Sequence, residues 1–183
     1  EAAAGAIFSI AGVGAVIGSL IVSVYGEPKH LVRTIMSGIA VAGGLIAVTG
    51  MRASLIVIAV PTTLIFLLSP IINGTSHVIW QTKVAEGAQG RVFSLRRMIA
   101  QAISPIAILL AGPLADGIFE PALAIDGALS ETVGQLIGTG PGRGIGFIHI
   151  IAGVGVVLLA IAGWFSPHVR NLETELPDLA GRA

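Results

Sequence analysis

Residues 53–82 read ASLIVIAVPTTLIFLLSPIINGTSHVIWQT, thirty positions between Arg52 and Lys83 without one Asp, Glu, Lys or Arg. A bilayer core of about 30 Å is crossed by roughly 20 residues of helix. Four further intervals have the same character: Glu1 to Glu27, Arg33 to Arg52, Arg97 to Asp116 and Arg143 to Arg170. They enclose 25, 18, 18 and 26 residues. Each supplies one span, the two shortest by borrowing flanking residues. None shows the apolar/polar alternation of a barrel strand, which needs only about ten residues. One such interval would suit a buried helix of a soluble domain, but five in 183 residues leave no polar surface. Composition agrees, with 54% hydrophobic and 11% charged residues against about 25% charged in soluble domains. The reading is an all-α integral membrane protein with helices near 4–25, 31–50, 53–82, 92–117 and 144–166. They form one transmembrane bundle over 1–166, followed by a tail over 167–183.

Pro61 and Pro70 fall in the third span, Pro105 and Pro113 in the fourth. Membrane helices tolerate proline when neighbours satisfy the freed carbonyl. The first span lacks the basic start of a signal peptide and is followed by further spans. Net charge is zero, so no nucleic-acid footprint is indicated. Cysteine is absent, which removes disulfides, thiol catalysis and cysteine-type zinc sites. No paired carboxylates, Ser/His/Asp set or metal-ligand spacing occurs, so neither an enzyme nor a cofactor is expected. Gly138–Gly144 lacks the Gly-Lys-Ser/Thr ending of a phosphate loop and reads as a tight turn into the last span.

Alternating spans put the 26–33 segment, the 83–97 segment and the tail on one side. That side receives Lys29, Arg33, Lys83, Arg91, Arg96, Arg97, Arg170 and Arg182; the other receives Arg52 and Arg143. The positive-inside rule then places the C-terminus in the cytoplasm and the 118–143 loop outside. Five spans with an outside start, opening on Glu rather than Met, lead to the expectation that an N-terminal part of a larger membrane protein is absent.

Several motifs now join up. Gly12-Val-Gly-Ala-Val-Ile-Gly18 followed by Tyr25-Gly-Glu-Pro-Lys-His30 resembles the eighth helix and next cytoplasmic loop of a major facilitator superfamily transporter. Lys29, His30 and Arg33 stand in a degenerate form of that loop's basic motif. Gln89-Gly-Arg-Val-Phe-Ser-Leu-Arg-Arg97 is similar to the loop between helices ten and eleven in the macrolide-efflux-like drug exporter branch. Ser104-Pro105, Leu110-Ala-Gly-Pro-Leu-Ala-Asp116, Phe119-Glu-Pro121 and Gly138-Thr-Gly-Pro-Gly-Arg-Gly144 continue the likeness.

The resemblance implies the C-terminal bundle of a major facilitator fold, helices eight to twelve of twelve, with the first helix of this half missing. It implies a proton-coupled exporter of small amphiphilic, drug- or macrolide-like compounds in the plasma membrane, working by alternating access. Its partners would be lipid, the missing N-terminal half, a small-molecule substrate and protons. A different class, a non-transporting scaffold or regulatory module derived from a transporter half, fits the same residues.

Individual positions carry two readings each. Gly14 and Gly18 form Gly-x-x-x-Gly, a gating contact or ordinary close packing. Asn73, His77 and Gln81, at i, i+4 and i+8 with Ser69 one turn earlier, share a helical face. Polar groups are costly in lipid, so this face either borders a substrate cavity or bonds to another helix. His77 is also a candidate proton carrier or, near the cytoplasmic end of its span, a structural or gating group. Trp80 reads as an interface anchor. Arg91, Arg96 and Arg97 are a topology determinant or a charge relay between helices. Gln101 and Ser104 extend the fourth span toward the cavity, and Pro105, Gly112 and Pro113 would bend it as a gate. Asp116 lies at an outer end, so any essential acid is expected in the missing half.

Overall fold

The computed structural model describes residues 2–26 and 28–179. Glu1, the loop residue Glu27 and the tail residue Arg182 lie outside them. Nine α-helices are found among the described residues, and no strand. The long ones are α1 (Ala2–Tyr25), α2 (Leu31–Met51), α3 (Leu55–Lys83), α4 (Glu86–Leu114) and α7 (Arg143–Phe165). Short ones are α5 (Glu120–Ala122), α6 (Val133–Ile137), α8 (Pro167–Arg170) and α9 (Leu172–Glu175). A π-helical turn over Ala115–Phe119 joins α4 to α5, giving one continuous rod over Glu86–Ala122. It begins two residues after Pro113, which has no N–H to give the ladder. Five helices are therefore long and apolar enough to cross a membrane.

Two segments read as loops contain helix. The fourth span starts at Glu86, not near 92, and only Val84 and Ala85 separate it from α3. The Gln89 Nε2 group explains the tight junction: it donates to the carbonyls of Gln81 (3.1 Å) and Val84 (3.2 Å) at the end of α3. Arg91, Arg96 and Arg97 thus stand on a helix. At its other end the fourth span runs on to Ala122, and α6 occupies part of the 118–143 loop. Helical hydrogen bonding continues past the apolar stretch at both ends, beyond the bounds of 92–117 that span length alone suggests.

Small residues set the packing. An ideal Cβ on Gly14 would lie 2.5 Å from the Thr63 carbonyl oxygen, and one on Gly18 would overlap the Leu67 carbonyl. The residue numbers rise together, so α1 and α3 run parallel. On α2, Gly43 meets Gly153 and Gly50 meets Gly146 of α7, so these two helices run antiparallel. Backbones approach this closely only where no side chain intervenes, which is how membrane helices gain dispersion contact without a hydrophobic drive. α2 also packs on α3 through Gly38 against Ile72.

The interior is accordingly thin. Among the described residues Leu123 is the only large side chain that is fully buried, and α4 buries none of its residues. A compact soluble chain of 18.6 kDa would expose roughly 8,200 Å², while this one exposes 11638 Å². Large apolar side chains contribute to it: Ile108 and Leu109 on α4 are 72% and 74% exposed.

Candidate functional site: a groove between α3 and α4

The residues read as cavity-lining divide into two sets. Ser69, Asn73, His77 and Gln81 all lie on the exposed face of α3. Asn73, His77 and Gln81 face Phe93, Arg96, Arg97 and Ala100 of α4 across a groove of about 610 Å³. Ser69 stands just beyond it and accepts a hydrogen bond from Asn73 Nδ2 at 3.1 Å. Asn73 Nδ2 also donates to the Ser69 carbonyl at 2.9 Å. Gln101 and Ser104 are exposed on α4 but do not line the groove. From Asn73 to Gln81 the groove follows about 12 Å of α3.

Three contacts hold its walls together. Arg96 Nη2 donates to Ser76 Oγ at 3.0 Å. The same guanidinium lies over the Trp80 ring, 5.7 Å from its centroid, a cation–π arrangement. The rings of His77 and Phe93 stack with centroids 5.8 Å apart. Trp80, read as an interface anchor, is therefore also a platform for Arg96.

The other named positions are dispersed. Gly14 and Gly18 sit in the α1–α3 contact, while a Cβ on Gly112 would meet nothing within 4 Å. Pro105 and Pro113 lie within α4, which continues through both. Lys29, Arg33 and Arg91 are exposed.

Both ends of the bundle are tied by carboxylates that the sequence did not reveal. At one end Glu173 Oε1 accepts from the Val32 N–H at 2.6 Å, capping the start of α2. Lys83, in the last turn of α3, donates to the carbonyls of Glu173 (2.8 Å) and Leu176 (2.5 Å) and pairs with Asp178 at 2.9 Å. The Leu179 N–H reaches the Thr82 carbonyl at 2.9 Å. The segment 171–179 is thus strapped across the adjoining ends of α2 and α3. At the opposite end Glu120 accepts from the N–H groups of Gly142 and, at 2.8 Å, Gly144, and so caps α7. Arg143 Nη1 donates to the Ile137 carbonyl at 2.6 Å. Anions at helix starts and a cation at a helix end each complement the helix dipole. No spacing rule could have found these pairs, because the partners of Val32 and Lys83 lie about 90 to 140 positions away.

No family model, curated protein or solved structure matches the chain.

Proposed function

We propose that this chain is the C-terminal part of a major facilitator exporter, helices eight to twelve, moving small amphiphilic compounds out of the cell across the plasma membrane. The observation that carries the reading is the polar α3–α4 groove inside helices otherwise built for lipid. Asn73, His77 and Gln81 occupy one face of a membrane-length helix, and such groups need protein or water around them rather than hydrocarbon. Their groove has the size of a site for a drug-sized molecule. A second support comes from α4. Gln101 and Ser104 stand exposed among exposed isoleucines and leucines, which fits a helix covered by the remaining helices of a transporter.

In this reading α3 and α4 border the central path, and α2 with α7 form the glycine-packed outer pair. The basic end, with Lys29, Arg33, Lys83, Arg91 and the tail, faces the cytoplasm by the positive-inside rule. Protons would drive export, through an acid supplied by the other half. The decisive measurement is efflux of a labelled amphiphile from cells expressing the complete reading frame, with and without an uncoupler. Export that an uncoupler abolishes is expected. A protein that inserts correctly yet exports nothing from a broad panel would instead favour a scaffold or regulatory module.

A further inference from the structure

Arg96, Arg97 and His77 line the α3–α4 groove, and no Asp or Glu lines it with them. Among the described residues the only ion pair is Lys83–Asp178, at the end of the bundle. Arg96 is held by two neutral partners, the Ser76 hydroxyl and the Trp80 ring. A guanidinium carries five N–H donors, so its charge and most of its donors are left for something else. Arg97, the next residue, is exposed beside it. Two adjacent guanidiniums in a groove with no facing carboxylate repel a cation and attract an anion. Arg forks also match the oxygens of acidic groups in geometry. The rest of the lining suits the other end of such a molecule, since Phe93 and Ala100 offer apolar surface while Asn73 and Gln81 add neutral hydrogen bonds.

We infer that the α3–α4 groove selects acidic amphiphiles, with Arg96 and Arg97 receiving the anionic head and the Phe93 wall the apolar body. The inference rests on the export reading and narrows its substrate class. Arg96, pinned by Ser76, fixes the site, and Arg97 supplies the second charge. An anionic lipid head presents the same chemistry, so the test must separate a transported acid from a resident lipid.

The complete reading frame is reconstituted in phosphatidylcholine vesicles under an imposed proton gradient. Two probes share one skeleton, dansylaminodecane sulfonate and dansylaminodecyl trimethylammonium. Gradient-driven movement of the sulfonate is expected to exceed that of the ammonium at least tenfold. Arg97→Gln should lower sulfonate movement at least fivefold, and Arg97→Glu should reverse the preference. Arg96→Gln should act like Arg97→Gln, with Arg96→Lys recovering part of the loss. Equal movement of the two probes, or preference for the ammonium in the unmodified protein, overturns the assignment and leaves export standing.

Binding is read separately, by energy transfer from tryptophan to the dansyl group. If neither probe moves, these compounds are not exported, and the wider panel decides export itself. The acidic site still holds if the sulfonate binds at least tenfold tighter than the ammonium and Arg97→Gln removes the difference. Equal binding overturns it. Replacing one fifth of the phosphatidylcholine with phosphatidylglycerol is expected to leave sulfonate binding within twofold. Its loss there would make the groove a lipid-head site and overturn the substrate assignment.

Discussion

Single carboxylates fasten this bundle at both ends. Glu120 satisfies two N–H groups at the start of α7, which would otherwise be left without helical partners. Removing such a cap costs about 1–2 kcal/mol. Glu120→Ala should lower the thermal midpoint of the purified protein by several degrees, while Glu131→Ala, whose side chain is exposed and makes no hydrogen bond among the described residues, should leave it unchanged. Equal midpoints would mean that water replaces the cap. Lys83 is the corresponding test at the other end, because one ammonium holds two tail carbonyls and Asp178. With Lys83→Met, the amide of Leu179 should lose its protection against hydrogen exchange, since its bond to Thr82 depends on the strap staying down. Retained protection would show that the Glu173 cap alone seats the tail.

Helix pairs are decided by glycine, and the prediction at this scale concerns which glycines matter. Gly18 and Gly50 abut carbonyl oxygens of α3 and α7, whereas Gly12 and Gly155 have open space. Gly18→Leu and Gly50→Leu should each disrupt packing by about 3 kcal/mol or more and sharply reduce the yield of folded protein. Gly12→Leu and Gly155→Leu should be tolerated, and the contrast is read from size-exclusion profiles after extraction. The existence of the five long helices was legible in the charge-free intervals, because lipid forbids unpaired charge along a whole span. Their ends were less so. Charge marks where lipid stops, and α4 continues for about three turns of basic helix beyond that point, starting at Glu86. The Gly14–Gly18 motif was visible because its four-residue spacing is local. The facing glycines 43, 50, 146 and 153 were not, since which of 25 glycines meet depends on the rotation of two helices far apart in sequence. The groove lay between these cases: the i, i+4, i+8 stripe on α3 was plain, but the placement of Arg96 and Arg97 opposite it required the helical junction at Val84–Ala85.

On the scale of the whole molecule, the two ends differ in charge. Val32, Lys83 and Glu173 gather at one end; Met51, Glu120 and Arg143 gather at the other, where Arg143 also approaches the Met51 carbonyl at 3.4 Å. Basic residues crowd the first end, so the proposed orientation puts the tail in the cytoplasm. Asp116 then lies in the π-helical turn toward the outer end, exposed and away from the groove. If the proposed export holds, Asp116→Asn should therefore keep most of its uncoupler-sensitive part; complete loss would make Asp116 the coupling acid. Orientation itself is open to a direct measurement, because the stretch has no cysteine of its own. Ala128 in the loop and Pro177 in the tail are both exposed, so each accepts a cysteine and a label without disturbing packing. On intact cells expressing the protein, a membrane-impermeant maleimide should label Ala128→Cys at once and Pro177→Cys only after permeabilisation. The reverse pattern would turn the basic end outward, against the positive-inside rule. Immediate labelling of both would mean that the two ends do not lie on opposite sides of one bilayer, and the alternating-access reading would fall with the topology.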